Sequence, residues 1–140
     1  MNTLKANSKK QLERDEGRKS VLYYDSLNVP SIGIGRNLRR GLAPDEIDYL
    51  FDNDFNDHLR DLLAAIPWAS SLDEPRLGAL LNMAFNLGVP KLCTFKEMLA
   101  ALEEKRWVDA KNHALNSIWS SQVKGRAVRI AKQFETGEWQ

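Results

Sequence analysis

The chain has a single cysteine, Cys93, among its 140 residues, which excludes an internal disulfide framework and suits a reducing compartment. Its net charge is only +1, so no global field attracts nucleic acid, and an anionic partner would have to meet local basic clusters. The two histidines, His58 and His113, have no metal-ligand spacing with each other or with Cys93. We therefore expect no metal and no cofactor.

Long apolar runs are also missing. No segment has the length of a membrane span, and the N-terminal residues contain no apolar stretch of signal-peptide length. We therefore expect no stable membrane insertion, and synthesis in a cytoplasm. If the protein acts outside that compartment, something else must release it. The 43% of apolar and 28% of charged residues are ordinary for a globular domain with a real core.

The N-terminal part of the chain predicts one short helix and a hairpin. Ser8 and Gln11 have capping-box spacing, and Gly17 is a typical helix stop. The segments from Val21 to Asp25 and from Ser31 to Gly35 are typical of short strands, and the residues between them are typical of a turn.

The rest of the chain predicts helices. Pro44 suits the first turn of a long helix that Pro67 ends. Apolar residues on this helix recur every three or four positions and predict one buried stripe, formed by Ile47, Leu50, Phe51, Phe55, Leu59, Leu62, Leu63 and Ile66. Further helices are predicted from Glu74 to Leu87, after a capping box of Thr94 and Glu97, from Trp107 to Leu115, and in a stretch that ends near Phe134.

These elements predict an α+β fold that is mostly α. We expect one domain, 1–140, in which a small hairpin-bearing lobe (about 12–43) and a larger helical lobe (about 67–140) are joined by the long helix (about 44–66). Two lobes with a junction predict a cleft between them, where ligand sites tend to lie.

Glu16 lies on the last turn of the first predicted helix, where a carboxylate is unfavourable because the helix C-terminus carries partial negative charge. The same charge opposes ionisation, which suits a proton donor. Asp25 at the end of one strand and Ser31 at the start of the next complete a polar set, and cleavage of a glycosidic bond needs one carboxylic acid and one carboxylate. By spacing alone the catalytic interpretation is weak, because a solvated Glu16, a turn-forming Asp25 and a strand-initiating Ser31 are all common.

A wider pattern favours the catalytic interpretation. The segment from Arg14 to Gly35, R-D-E-G-R-K-S-V-L-Y-Y-D-S-L-N-V-P-S-I-G-I-G, resembles the start of the phage-type lysozymes, the muramidases typified by T-even bacteriophage lysozyme. The spacings from Glu16 to Asp25 (25 − 16 = 9) and from Asp25 to Ser31 (31 − 25 = 6) match that family. The resemblance resumes in L-L-N-M-A-F-N-L-G, K-R-W, W-S-S-Q-V-K-G-R-A-V-R and F-E-T-G-E-W, up to Trp139.

The resemblance implies an inverting glycoside hydrolase that cuts the β-1,4 bond between N-acetylmuramic acid and N-acetylglucosamine in peptidoglycan. It implies Glu16 as the general acid, Asp25 as the second carboxylate, and Ser31 in place of the family's usual Thr as the residue that holds the attacking water. It also implies Phe85 and Asn86 in the saccharide cleft and Arg126 near the catalytic Glu. For Phe85 a place in the core, and for Arg126 a solvated basic face, remain open.

Two departures from the family pattern concern the segment after the second strand. Arg36 stands where the family commonly has His, and we predict that it pairs with Asp54 on the long helix. Only residues 36–43 separate the strand from that helix, so substrate contacts of the longer T-even insertion cannot be carried over. The four tryptophans are expected to pack the helical lobe.

Other functions are less favoured by the sequence. A non-catalytic peptidoglycan-binding module has no need of the acid Glu16, and a nucleic-acid binder is disfavoured by the net charge and the lack of a known motif. As an endolysin, the protein is expected to act as a monomer on periplasmic peptidoglycan and to depend on a separate holin for release. A virion-associated lysozyme and a prophage relic remain open.

Overall fold

The computed structural model describes residues 2–140 and divides the chain into two compact units, one that ends at Leu50 and one that covers Phe51–Gln140. The protein is mostly helical with one small antiparallel sheet, which confirms the predicted α+β class. The division falls inside the long helix. The predicted lobe boundaries at 43 and 67 stay a prediction.

The first unit consists of a helix, a small sheet and the start of the long helix. Its elements are α1 (Asn2–Glu16), β1 (Lys19–Tyr24), β2 (Pro30–Gly33), β3 (Arg36–Asn37), a 3₁₀ turn (Leu38–Arg40) and the first turns of α2 (Pro44–Ala65). The sheet has the order β1-β2-β3, and both pairs of strands are antiparallel. In β2, Ser31 lies opposite Tyr23 of β1 and Asn37 of β3.

Helix α1 begins earlier than the sequence predicted. It starts at Asn2 rather than near Ser8, so the Ser8–Gln11 capping box is wrong and Ser8 lies inside the helix. The preceding Leu, Lys and Ala residues are good helix formers, and the spacing of a capping box also occurs within helices. The predicted end is confirmed, because Gly17 has a φ of 78° and donates its N–H to the carbonyl of Glu13 at 3.0 Å.

The predicted hairpin is confirmed, but a third strand was missed. β3 is two residues long and therefore too short to show alternation in the sequence. It pairs with β2 after a turn formed by Ile34 and Gly35. Gly33, the last residue of β2, and Gly35 both have positive φ.

The second unit contains the core. It comprises the rest of α2, a 3₁₀ turn (Pro67–Ser71) and α3 (Glu74–Leu87), α4 (Val89–Leu92), α5 (Lys96–Glu103), α6 (Trp107–Leu115), α7 (Ile118–Val123) and α8 (Gly125–Thr136). The bounds of α3 and α6 agree with the sequence prediction. The largest fully buried side chains are Phe134, Leu62, Leu80, Met83, Leu92, Met98 and Leu102.

Helix α2 has the predicted length, but its apolar stripe is buried only near its end. Leu62 and Ile66 are buried, whereas Phe51 is 54% exposed and Ile47 is 53% exposed. Periodicity identified the apolar face of the helix correctly. It could not show that the core covers only the last turns of that face.

One further expectation about the second unit is wrong. Thr94 and Glu97 do not form a capping box, because Phe95 is the residue before α5 and the Thr94 hydroxyl donates to the carbonyl of Lys91 at 2.6 Å. Trp119 is buried, and Trp139, although 64% exposed, lies over Gly78 on the surface of α3, so both pack on the helical lobe as predicted.

A buried arginine joins α3 to the end of α8. Arg76 Nε donates to the carbonyl of Phe134 at 2.8 Å, and its Nη2 donates to the carbonyl of Glu135 at 3.0 Å. Its Nη1 pairs with Asp73 at 2.6 Å, and its guanidinium carbon lies 3.8 Å from the centre of the Trp107 ring. Burial alone would raise the pKa of Asp73, but the hydrogen bonds and charge of Arg76 lower it overall. One side chain thus satisfies carbonyl groups that the helix end leaves open.

Candidate active site

Glu16 is the last residue of α1 and is exposed. Among residues 2–140, its carboxylate has no hydrogen-bond or ion-pair partner, although the neighbouring Asp15 pairs with Arg14 at 2.8 Å. The Glu16 side chain instead lies against the backbone of Gly35, in the turn between β2 and β3. A carboxyl group that is open to solvent at a helix C-terminus is available to transfer a proton to a ligand.

Asp25 closes the turn between β1 and β2. Its Oδ1 accepts the backbone N–H groups of Leu27 and Val29, each at 2.9 Å. The Asp25 N–H donates to the carbonyl of Val29 at 3.1 Å, and Asn28 takes a left-handed conformation with a φ of 57°. The turn-forming interpretation of Asp25 is therefore correct. Its Oδ2 has no partner among the described residues, so the same carboxylate can also face a ligand.

Ser31 lies on the central strand and is 3% exposed. Its hydroxyl donates to the carbonyl of Val29 at 3.2 Å, which leaves the oxygen lone pairs free to accept. Val29 therefore contacts both polar residues through its backbone, because its N–H binds Asp25 and its carbonyl binds Ser31. The carboxylate and the hydroxyl that the sequence singled out are held by one peptide segment.

Phe85 and Asn86 lie near the end of α3 in the second unit, and both are exposed. The interpretation of Phe85 as a core residue is wrong, since its ring is 39% exposed and stacks on His58 with centroids 4.3 Å apart. Asn86 Oδ1 accepts the indole N–H of the buried Trp119 at 2.8 Å. That bond fixes the amide of Asn86 with its NH₂ group free to donate.

Arg126 lies near the start of α8 and lines a groove of about 640 Å³ within the second unit. The other lining residues include Phe51, Phe55, Asn82, Phe85 and Trp139. No ion pair of Arg126 is found among residues 2–140. Its predicted place near Glu16 stays a prediction.

The predicted ion pair of Arg36 with Asp54 is wrong. Arg36 pairs instead with Glu46 through two hydrogen bonds, and the one from Nη1 is 2.9 Å long. Glu46 is on the first turn of α2, which follows β3 closely, whereas Asp54 lies eight residues further on, about 12 Å along the helix. The hydrogen bond from Arg36 and a second one from the Ala43 N–H lower the pKa of Glu46 to about 2.

Sequence reasoning missed three contributors to these arrangements. The contact of Gly35 with Glu16 and the double role of the Val29 backbone depend on how the hairpin folds. The support of Asn86 by Trp119 depends on the packing of α7. The repeated glycines of the S-I-G-I-G segment were the available signal for Gly35. No group of three His, Cys, Asp or Glu side chains within residues 2–140 is arranged to hold a metal ion.

Comparison with known proteins identifies the family of the chain. The sequence profile of the phage lysozyme family matches residues 13–132. This range contains Glu16, Asp25, Ser31, Phe85 and Arg126. The chain belongs to the phage lysozyme family. The protein is accordingly a glycoside hydrolase of the lysozyme type, and lysozymes act on peptidoglycan.

Individual relatives are similar over most of the chain. A probable T4-type lysozyme 1 of Dictyostelium discoideum is 29% identical over 92% of this chain and 94% of its own length. A probable T4-type lysozyme 2 of the same organism is 27% identical over the same shares. The pre-baseplate central spike protein Gp5 of Enterobacteria phage T4 is 29% identical over 90% of this chain, which corresponds to 27% of that protein. Within residues 2–140, no helix is both long enough and apolar enough to cross a membrane.

Proposed function

We propose that the protein hydrolyses the β-1,4 bond between N-acetylmuramic acid and N-acetylglucosamine in bacterial peptidoglycan. The observation that supports this most directly is the contrast between two carboxylates of one unit. Glu16 is exposed and unpartnered at a helix end, whereas Asp25 is held by two backbone N–H groups. Two carboxyl groups in such different surroundings suit one acid and one base.

Glu16 is the general acid of the proposed reaction. It protonates the glycosidic oxygen as the bond from that oxygen to the anomeric carbon breaks, so that N-acetylglucosamine leaves as an alcohol. Glu16 is exposed on the last turn of α1, where a ligand can reach its carboxyl group. Its side chain has no partner among the described residues that would have to be displaced before it meets the substrate.

Asp25 and Ser31 serve the attacking water in this proposal. A water held by the Ser31 hydroxyl attacks the anomeric carbon from the opposite face, and Asp25 takes its proton through the open Oδ2. The product then has inverted configuration. The backbone of Val29 holds Asp25 and Ser31 in a fixed relation, which favours one position for that water.

Phe85, Asn86 and Arg126 bind or support the substrate in the proposed enzyme. The exposed ring of Phe85 offers an apolar surface to a sugar, and the fixed NH₂ group of Asn86 can donate to an acetamido or hydroxyl oxygen. Arg126 supports Glu16 in this proposal, and residues 1–140 form one catalytic domain.

The proposed biological role is that of an endolysin. The protein is made in the cytoplasm of an infected bacterium, passes the inner membrane through a separate holin, and acts as a monomer in the periplasm. Degradation of the wall then lyses the host.

The products of digestion test the proposed bond. Purified peptidoglycan is digested, the new reducing ends are reduced with borohydride, and the resulting alditols are identified. We expect N-acetylmuramitol, together with an α-configured anomeric carbon in NMR spectra of the fresh product. N-acetylglucosaminitol would show that the other glycosidic bond is cut, and 1,6-anhydro ends would exclude hydrolysis. An initial β-anomer would contradict inversion.

A further inference from the structure

The Glu16 side chain rests on the backbone of Gly35. A β-carbon built on Gly35 would lie 3.1 Å from Cγ, 3.3 Å from Cδ and 3.4 Å from Oε2 of Glu16. Favourable contacts between carbon atoms lie at about 3.5–4.0 Å, so a methyl group at this position would displace the carboxyl group. The space that glycine leaves at position 35 is therefore filled by the side chain of Glu16.

The neighbouring glycine provides a natural comparison. Gly33 and Gly35 have nearly the same backbone conformation, with φ values of 69° and 70°, in which a side chain is strained. A β-carbon on Gly33, however, would have no neighbour within 4 Å. The two glycines thus meet the same backbone requirement, but only Gly35 contacts Glu16.

We propose that Gly35 is a positioning residue that sets the place of the Glu16 carboxyl group, an inference that rests on the proposed role of Glu16 as the acid. Among the described residues, no hydrogen bond or ion pair holds this carboxyl group. Its position is set by the end of α1 and by the surface of Gly35. The β2–β3 turn therefore supports the side chain of the proton donor on one side.

This arrangement has a direct consequence for turnover. A general acid must lie within hydrogen-bond reach, about 2.6–3.2 Å, of the oxygen that it protonates. A displacement of about 1 Å in an active site can cost roughly a hundredfold in rate, so the few tenths of an ångström by which Glu16 would have to move should cost a few-fold. Alanine at position 35 should therefore lower kcat much more than it raises KM, because the sugar-binding residues proposed here, Phe85 and Asn86, are not touched by the change.

The first experiment compares Gly35→Ala with Gly33→Ala in the full chain. Both variants should lose thermal stability because both place alanine at a positive φ. We expect kcat on peptidoglycan to fall roughly threefold to tenfold for Gly35→Ala and to stay near the wild-type value for Gly33→Ala. Equal kcat values in two folded variants would overturn the inference.

The second experiment needs no activity. Thermal midpoints are measured for Gly35→Ala and Gly33→Ala, each in the wild-type and in a Glu16→Ala background. Removal of the Glu16 side chain should relieve the extra destabilisation of Gly35→Ala and should not change that of Gly33→Ala. If the Glu16→Ala background does not relieve the extra loss of thermal midpoint in Gly35→Ala, the two residues do not touch. This holds even if Gly35→Ala alone fails to fold, since the double variant would then fail to fold as well.

The two proposals can fail separately. If Glu16→Gln keeps wild-type activity, the proposed catalytic role fails whatever Gly35→Ala does. If Glu16→Gln is inactive but Gly35→Ala behaves like Gly33→Ala, the catalytic role stands and the positioning role of Gly35 is wrong.

Discussion

Each of the two units of the chain is stabilised by a different kind of contact. Every buried apolar side chain among the described residues lies between Leu62 and Phe134, in the second unit. Of residues 2–50, only Ser31 is buried. The first unit is fixed instead by polar contacts, such as the Asp25 turn and the Arg36–Glu46 pair.

This difference separates the source of stability from the source of the proposed chemistry. Glu16, Asp25 and Ser31 all belong to the unit that has little buried surface, where backbone N–H and carbonyl groups hold Asp25 and Ser31. Buried apolar surface is the dominant favourable contribution to folding. We therefore expect changes in the second unit to cost mainly stability, and changes around Asp25 and Glu16 to cost mainly activity.

The largest loss of stability is expected for Phe134→Ala. Phe134 is fully buried on α8, and truncation of a buried Phe costs about 3–5 kcal/mol of unfolding free energy. Val108→Ala on α6 is the control, because Val108 is 54% exposed and surface changes usually stay within about 0.5 kcal/mol. Denaturant unfolding measures both. Similar losses would show that apolar burial in the second unit is not the source of its stability.

Asp25→Asn should instead reduce activity and leave stability nearly unchanged. Asn can still accept the N–H groups of Leu27 and Val29, so the turn is kept, but the negative charge is lost. We expect turnover of peptidoglycan to fall about 100–1000-fold with little change in thermal midpoint. Asp25→Ala should lose the turn as well, and its midpoint should fall further. An active, stable Asn variant would contradict the role of the charge.

A smaller loss of stability is expected for Arg76→Met. The substitution keeps most of the apolar stem but leaves the carbonyls of Phe134 and Glu135 without their donors, at a cost of about 1–3 kcal/mol. Arg60→Met is the matched control, because Arg60 pairs only with exposed carboxylates on its own helix. Equal effects in chemical denaturation would mean that Arg76 is not the link between α3 and α8.

Loss of the Arg36–Glu46 pair should change stability least, and the change should depend on pH. Because the folded pKa of Glu46 is about 2, below its ordinary value of 4.5, the folded state binds this proton more weakly than the unfolded state. The stabilisation is therefore present above pH 4.5 and is lost as the pH falls towards 2.

Thermal midpoints between pH 6 and 2.5 check this expectation. The wild type should lose more stability on acidification than Glu46→Gln does. Asp54→Asn, which tests the pairing predicted from the sequence, should follow the wild-type curve. Parallel curves for wild type and Glu46→Gln would show that the pair contributes nothing in solution.

Local signals predicted much of this structure from the sequence. Pro44 and Pro67 bracket α2, and Gly88 follows the last residue of α3, because proline and glycine restrict the backbone through their own chemistry. The spacing of Glu16, Asp25 and Ser31 likewise placed all three at element ends or on the sheet.

The sequence predictions that failed depended on contacts between distant parts of the chain. The apolar periodicity of α2 could not show how far the core extends, so Phe51 was wrongly predicted to be buried. The choice of Glu46 over Asp54 as the partner of Arg36 depends on where β3 ends relative to the first turn of α2. The contact of Gly35 with Glu16 likewise requires the folded hairpin.

The most direct test of the central claim is the activity of Glu16→Gln beside that of Asp15→Asn. Both carboxylates are exposed at the end of α1, but only Glu16 is proposed to transfer a proton. Glu16→Gln should reduce peptidoglycan hydrolysis roughly 100–10,000-fold at an unchanged or higher thermal midpoint, and Asp15→Asn should retain wild-type rates. A Gln variant that hydrolyses peptidoglycan as fast as the wild type would contradict the account.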